Sequence, residues 1–213
     1  MNLADLRNEY MKHGLRKDDL CNDPIKQLER WLHEAIAANI CEPNAISLAT
    51  ADNKGRPSVR TVLIKHLDEQ GLYIFTNKKS RKGIQLASNP HASIAIPWIP
   101  IERQVIIEGI ARELPEEAAK SYALSRPRGS QLSTWASDQS SPIPSRSHLE
   151  ERYEHYKKQY EGKPIPMPKH WGGYCVQPLR VEFWQGRPNR LHDRFVFTRK
   201  TLDAPWKIQR LAP

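Results

Sequence analysis

The chain has 213 residues, of which 38% are hydrophobic and 27% charged, proportions that fit one soluble globular domain with a sizeable core. Its apolar runs are short, as at Ile94-Ala95-Ile96, which excludes a bilayer-crossing helix of roughly 20 residues. The 33 basic residues outnumber the 24 acidic ones and leave a net charge of +9, which favours an anionic partner: nucleic acid, a phosphorylated small molecule or an acidic surface.

The opening stretch, MNLADLRNEYMKHGLRKDDL, is charged throughout and lacks an apolar signal-peptide segment. The three cysteines, Cys21, Cys41 and Cys175, form no CxxC pair and suggest neither a zinc site nor a disulfide framework. Both observations predict a cytoplasmic protein without a metal. We divide the chain into an N-terminal segment, 1–22, and a single domain, 23–213. Asp23-Pro24 has the form of an N-cap followed by proline at the first helical position. The apolar spacing of Ile25, Leu28, Trp31, Leu32, Ala35 and Ile36 predicts an amphipathic helix over 24–39.

Strand-like runs follow at 45–51, 58–66, 72–76, 92–98 and 104–113, separated by turn signals such as Asn53-Lys54-Gly55. A short helix over 80–88 interrupts them, and Pro115-Glu116-Glu117 starts another over 115–124. Ser147 and Glu150 form a capping-box pattern ahead of a charged helix that ends near Gly162. After the proline-rich GKPIPMP connector come strands at 174–184, 191–199 and 206–211. The expected fold is mainly β with peripheral helices (α+β), a mostly antiparallel barrel and not a doubly wound sheet, because hairpins dominate.

No GxGxxG, P-loop, GxSxG or HExxH motif is present, so any phosphate must be held chiefly by side chains, a role that suits arginine and lysine. Three segments supply them. Between Arg56 and Lys82 there are seven Arg or Lys against two acids, and Ser80-Arg81-Lys82 stands at a helix start, where free N–H groups attract anions. The alternative, that these cations guard exposed strand edges, stays open. Arg60 and Lys65 differ by five, so a regular strand would point them to opposite faces. In SYALSRPRGSQ, Tyr122, Arg126 and Ser130 are spaced by four, and Pro127 predicts a helix end, a turn and a new helix that keep them close. Phenol, guanidinium and hydroxyl suit a phosphate monoester, although Tyr122 also fits a core role. In FWQGRPNRLHDR, strand periodicity would put Arg190, His192 and Arg194 on one face, with Trp184 as a stacking surface. A phosphorylated aromatic ligand fits these features better than duplex DNA, because no exposed lysine stripe is formed.

Together these segments resemble the pyridoxine/pyridoxamine 5′-phosphate oxidase family. The resemblance is carried by RTVLIK (60–65), FTNKKSRK (75–82), ERQV (102–105), SRPRGSQ (125–131), SDQSSPI (137–143), HWGGY (170–174), VEFWQGRPNRLHDR (181–194) and WKIQRLAP (206–213), which span nearly the whole chain. It implies an FMN-binding split β-barrel, a homodimer with FMN at the subunit interface, and no nucleic-acid or membrane partner. FMN would contact Arg60, Thr61, Val62, Leu63, Ile64, Lys65, Phe75, Thr76, Arg81, Lys82 and Gln104. Gln139, Ser140, Trp184 and Arg194 would complete that site from the partner subunit. The substrate phosphate would meet Lys65, Tyr122, Arg126 and Ser130, with Arg190 and His192 over the pyridine ring in the catalytic positions. Arg7 and Tyr10 would belong to an active-site lid. Phe75 departs from the tyrosine of many relatives. The implied reaction is oxidation of pyridoxine or pyridoxamine 5′-phosphate by O2 to pyridoxal 5′-phosphate, releasing H2O2 and, from the amine, ammonia. A flavin-reductase-like split-barrel enzyme is the alternative; it would need the 60–82 site but not Tyr122, Arg126, Ser130, Arg190 and His192 together.

Overall fold

The structure is a computed structural model that describes residues 14–213. Helix α1 (Pro24–Ala37) begins where the sequence predicts, because the Asp23 carboxylate accepts from the backbone N–H groups of Ile25 (2.7 Å) and Lys26 (3.2 Å). Its buried face carries Ile25, Leu28, Trp31 and Ala35. Trp31 meets Phe183 edge to face at 5.1 Å, and the Arg103 guanidinium covers the Trp31 ring at 4.5 Å. Each large side chain buried this completely contributes roughly 1.5–3 kcal/mol.

The strands are β1 (Ala45–Ala51), β2 (Pro57–Leu63), β3 (His66–Asp68), β4 (Gly71–Asn77), β5 (His91–Trp98), β6 (Arg103–Glu113), β7 (Trp171–Gln185), β8 (Asp193–Thr198) and β9 (Lys207–Leu211). They form one curled antiparallel sheet in the order β2-β1-β5-β6-β7-β4-β3, with β8 paired to β7 and β9 paired to β8. Alternate strand residues such as Ile46, Leu48, Ile94, Ile96, Val105 and Ile107 point into the core with α1.

Strand β7 changes partner along its length. Residues 171–176 pair with β4, residues 180–185 pair with β8, and β6 runs along the other side. The register slips between Glu108 and Gly109, opposite Pro178, which has no N–H to offer the ladder. A Cβ at Gly109 would lie 2.2 Å from the Gln177 carbonyl, so only glycine fits this bulge. Arg199 closes the gap where the partners diverge. Its Nε donates to the Pro178 carbonyl (2.8 Å) and its N–H to that of Leu179 (3.0 Å).

Among the described residues, four α-helices besides α1 lie around the sheet: α2 (Arg81–Ser88), α3 (Glu116–Ser125), α4 (Arg128–Ala136) and α5 (Arg146–Gln159). The break between α3 and α4 falls at Arg126-Pro127, as the proline predicts. Three expectations need correction. The strand expected over 58–66 stops at Leu63, because the Lys65 N–H turns away to the Tyr73 carbonyl (2.9 Å) and β3 begins anew. The cap of α5 is Ser145, whose hydroxyl accepts from His148 N–H (3.1 Å), so Ser147 lies inside the first turn and Glu150 instead pairs with Arg146. The strand expected from Leu191 starts at Asp193. Asn189 and Arg190 sit at φ of 55° and 60° in a tight turn before it, so Arg190, His192 and Arg194 do not share one strand face. Among the described residues no helix is long and apolar enough to cross a membrane.

Candidate active site

A cleft of about 1300 Å³ opens between the β2 and β4 strands and the start of α2 on one side, and α3, α4 and α5 on the other. Arg60, Thr61, Val62, Leu63, Lys65, Phe75, Thr76, Arg81, Lys82, Tyr122, Arg126, Ser130, Gln139 and Ser140 all line it. Arg60 and Lys65 reach the same cleft because the chain turns after Leu63, which removes the parity conflict.

One corner gathers cations. Arg60 donates from Nη1 to the Leu48 carbonyl (2.9 Å) and Thr50 Oγ1 (2.8 Å), and from Nη2 to Ser58 Oγ (2.5 Å). Lys82 Nζ donates to Thr76 Oγ1 (3.1 Å) and Ser80 Oγ (3.4 Å), and Ser80 caps α2. Burial, and then the neighbouring Arg81, lower the Arg60 pKa; burial, and then Arg60, lower that of Lys82. None of Arg60, Arg81 and Lys82 pairs with a carboxylate among the described residues. Two partly buried cations, Arg60 and Lys82, with the exposed Arg81 beside them at the start of α2, where helix N–H groups are free, fit a bound phosphate. Lys78 does not join them, because Glu113 holds it at 2.8 Å.

The opposite corner is aromatic. Phe75 stacks on Tyr122 at 4.0 Å and on Trp171 at 5.6 Å. The ring at position 75 therefore acts as packing surface, which phenylalanine supplies without a hydroxyl. Arg126 lies over the Trp171 ring at 5.0 Å, and its Nη1 donates to Thr134 Oγ1 (2.8 Å). Burial raises the Tyr122 pKa, partly opposed by Arg126, and lowers that of Arg126, partly opposed by Tyr122. With Lys65 and Ser130 nearby on the cleft wall, this corner offers a second anion site beside a flat surface.

Five expected residues lie elsewhere. Gln104, Trp184 and Arg194 stand side by side on β6, β7 and β8, and the His192 ring meets Trp184 at 4.6 Å. Arg190 precedes them in its left-handed turn. The Arg187 N–H donates to His192 Nδ1 (3.1 Å), so the neutral ring carries its proton on Nε2. Burial, and then the Arg190 charge, lower the His192 pKa below its ordinary value, which keeps the imidazole neutral at pH 7. Arg194 donates to buried Glu182 (2.7 Å) and to the Ala212 carbonyl (2.7 Å), while Arg180 takes the other Glu182 oxygen (2.6 Å). The anion beside Arg194 is thus a residue of the chain itself.

Two further expectations change. Gln139 and Ser140, expected from the partner subunit, line the cleft of their own chain, where Gln139 Oε1 accepts from Thr76 Oγ1 (3.1 Å) and Asn77 N–H (3.3 Å). Ile64, expected to touch cofactor, is buried in the core, and Asn44 occupies its backbone N–H and carbonyl. Arg7 and Tyr10 fall outside the described residues. Trp171, Glu182 and the Thr50–Ser58–Gln85 group were not expected. Trp171 stands in the HWGGY segment and offered a signal; the others depend on contacts distant in sequence.

Residues 32–160 match the model of a family described as pyridoxamine 5′-phosphate oxidase. Residues 171–213 match that described as pyridoxine 5′-phosphate oxidase C-terminal dimerisation region. A pyridoxine/pyridoxamine 5′-phosphate oxidase of Crocosphaera subtropica is 53% identical, with 100% of each chain covered. One of Salinibacter ruber is 50% identical over 99% of each chain. Among solved structures, PhzG from Burkholderia lata in complex with tetrahydrophenazine-1-carboxylic acid superposes with a TM-score of 0.90 at 30% identity, covering 97% of this chain and 100% of that one. An FMN-binding protein of Nostoc punctiforme shares the fold alone, with a TM-score of 0.72 at 16% identity, covering 91% of this chain and 100% of that one.

Proposed function

Because this chain belongs to the pyridoxine/pyridoxamine 5′-phosphate oxidase family, we infer that it oxidises pyridoxine 5′-phosphate or pyridoxamine 5′-phosphate with O2 to pyridoxal 5′-phosphate, using FMN. The observation that carries this reading is one cleft with two separate cationic corners and an aromatic wall between α3 and β4. Two phosphorylated ring compounds, cofactor and substrate, match that pattern. A flavin reductase would have no use for the second corner.

FMN, when bound, would supply the acceptor for the hydride equivalent leaving the 4′ carbon and the means by which O2 is reduced, with two protons, to H2O2. Arg60, Arg81 and Lys82 would hold its phosphate, and Thr76, Gln139 and Ser140 would complete that wall. Lys65, Tyr122, Arg126 and Ser130 would grip the substrate phosphate and so fix the ring's distance from the flavin. His192, neutral and protonated on Nε2, would face the pyridine ring together with Arg190, and would orient it.

The enzyme acts as a homodimer, in keeping with the C-terminal dimerisation region. A two-fold axis would lay the Gln104–Trp184–Arg194 row of one chain against the cleft of its partner, giving two equal sites. This accounts for expected residues that miss the cleft of their own chain. Residues 1–22 would form a segment beside the site, and the cytoplasm suits the substrates.

The flavin-loaded protein is expected to release peroxide with either phosphorylated vitamer and far less with unphosphorylated pyridoxine, measured by O2 uptake and coupled peroxide assay. No peroxide from a fully loaded sample would defeat the reading.

A further inference from the structure

Gln85 is buried at 5% exposure on α2 and does not itself line the cleft. Its Oε1 accepts from both Thr50 Oγ1 (2.6 Å) and Ser58 Oγ (2.6 Å), residues 35 and 27 positions away. Each hydroxyl has one proton, and Gln85 takes it. The lone pairs that remain on the two oxygens face Arg60, which donates to Thr50 from Nη1 and to Ser58 from Nη2. With the Leu48 carbonyl, three of the five guanidinium donors are fixed. The Nε–H and one Nη2–H have no acceptor among the described residues, and two such donors suit a phosphate.

We propose that Gln85 is a positioning residue for the cofactor phosphate: it sets the proton direction of Thr50 and Ser58, so that Arg60 is clamped by neutral acceptors and keeps its charge for the ligand. The contrast within the same chain supports this. Arg194 is clamped by the carboxylate of Glu182, which offsets its charge, whereas Arg60 is held as firmly without one. A glutamate has nearly the volume of Gln85 and would accept the same two bonds. It would also place a negative charge one hydroxyl away from the Arg60 guanidinium, close to Arg81 and Lys82. The neutral amide therefore matters chemically and not only by shape.

The inference rests on the proposed contact between Arg60 and FMN phosphate, and the test separates the two. Apo-protein is titrated with FMN and with riboflavin, which lacks the phosphate, by quenching of flavin fluorescence, for the unmodified protein, Arg60→Ala, Gln85→Glu, Gln85→Met and the Arg60→Ala/Gln85→Glu pair. Gln85→Glu is expected to weaken FMN about tenfold, and Gln85→Met severalfold, with riboflavin affinity within twofold. In the Arg60→Ala background Gln85→Glu is expected to add little, the non-additivity of groups acting in series. If Arg60→Ala selectively weakens FMN but the Gln85 variants do not, the positioning role is wrong. Equal losses for FMN and riboflavin in the Gln85 variants would mark a merely structural residue and also overturn it. If Arg60→Ala leaves FMN affinity unchanged, the underlying contact is wrong and the proposal goes with it. Thermal unfolding of each apo-variant identifies any that fail to fold, and Gln85→Met then stands in for Gln85→Glu.

Discussion

Arg126→Ala is expected to raise the KM for pyridoxine 5′-phosphate about a hundredfold while leaving FMN affinity within twofold. The guanidinium is tied by Thr134 and backed by the Trp171 ring, so it meets a phosphate already oriented. Charge-assisted bonds contribute about 1.5–3 kcal/mol each, and losing a bidentate pair amounts to roughly 3 kcal/mol, or two orders of magnitude. Burial lowers the Arg126 pKa, and an anion beside the guanidinium would favour its charged form. Arg126→Lys should recover part of the loss, since a point charge replaces a planar fork. Steady-state kinetics with phosphorylated and unphosphorylated pyridoxine, beside a flavin titration, read both effects. An unchanged KM for the phosphorylated substrate would remove Arg126 from the site.

The second large effect is a division between two arginines four residues apart. Arg194→Ala is expected to weaken FMN retention about tenfold and to lower stability by about 2–3 kcal/mol, because buried Glu182 keeps only Arg180 as partner among the described residues. Arg190→Ala should spare both FMN and stability and reduce turnover tenfold or more. Arg190 is exposed, lies in a left-handed turn and binds no acceptor among the described residues, so nothing in the fold depends on its side chain. Flavin content after dialysis, thermal unfolding and kcat measured on reloaded protein distinguish the two. The opposite pattern would reverse the assignment of cofactor and substrate along this segment.

What could be foreseen in the sequence was local. The strand at 45–51 is found as expected, since hydrophobic alternation and a turn signal bound it. The gathering of Tyr122, Arg126 and Ser130 followed from a spacing of four interrupted by one proline, a rule that needs no tertiary knowledge. The failures share a different cause. Ser145 and Ser147 both offer a hydroxyl ahead of α5, and only the backbone decides between them. Period-two spacing placed Arg190 on a strand, but two consecutive positive φ angles at Asn189 and Arg190 end that geometry, and neither residue is glycine to warn of it. Gln85 has no local signature, because its meaning comes from hydroxyls on β1 and β2. Ile64 stands within a run of cleft residues, but the turn after Leu63 sends its side chain inward.

The partner change in β7 has a consequence for inheritance of damage between subunits. Trp171 borders the cleft near one end of this strand and Trp184 stands in the cross-strand row near the other, with roughly 40 Å of strand between them. If each site joins one chain's cleft to its partner's row, a lesion at either end harms a different site. In a mixed dimer of one cleft-defective and one row-defective chain, both lesions fall in the same site and the other is whole. Two inactive alleles expressed together would then restore one working site per mixed dimer, whereas two lesions in the same half would restore none.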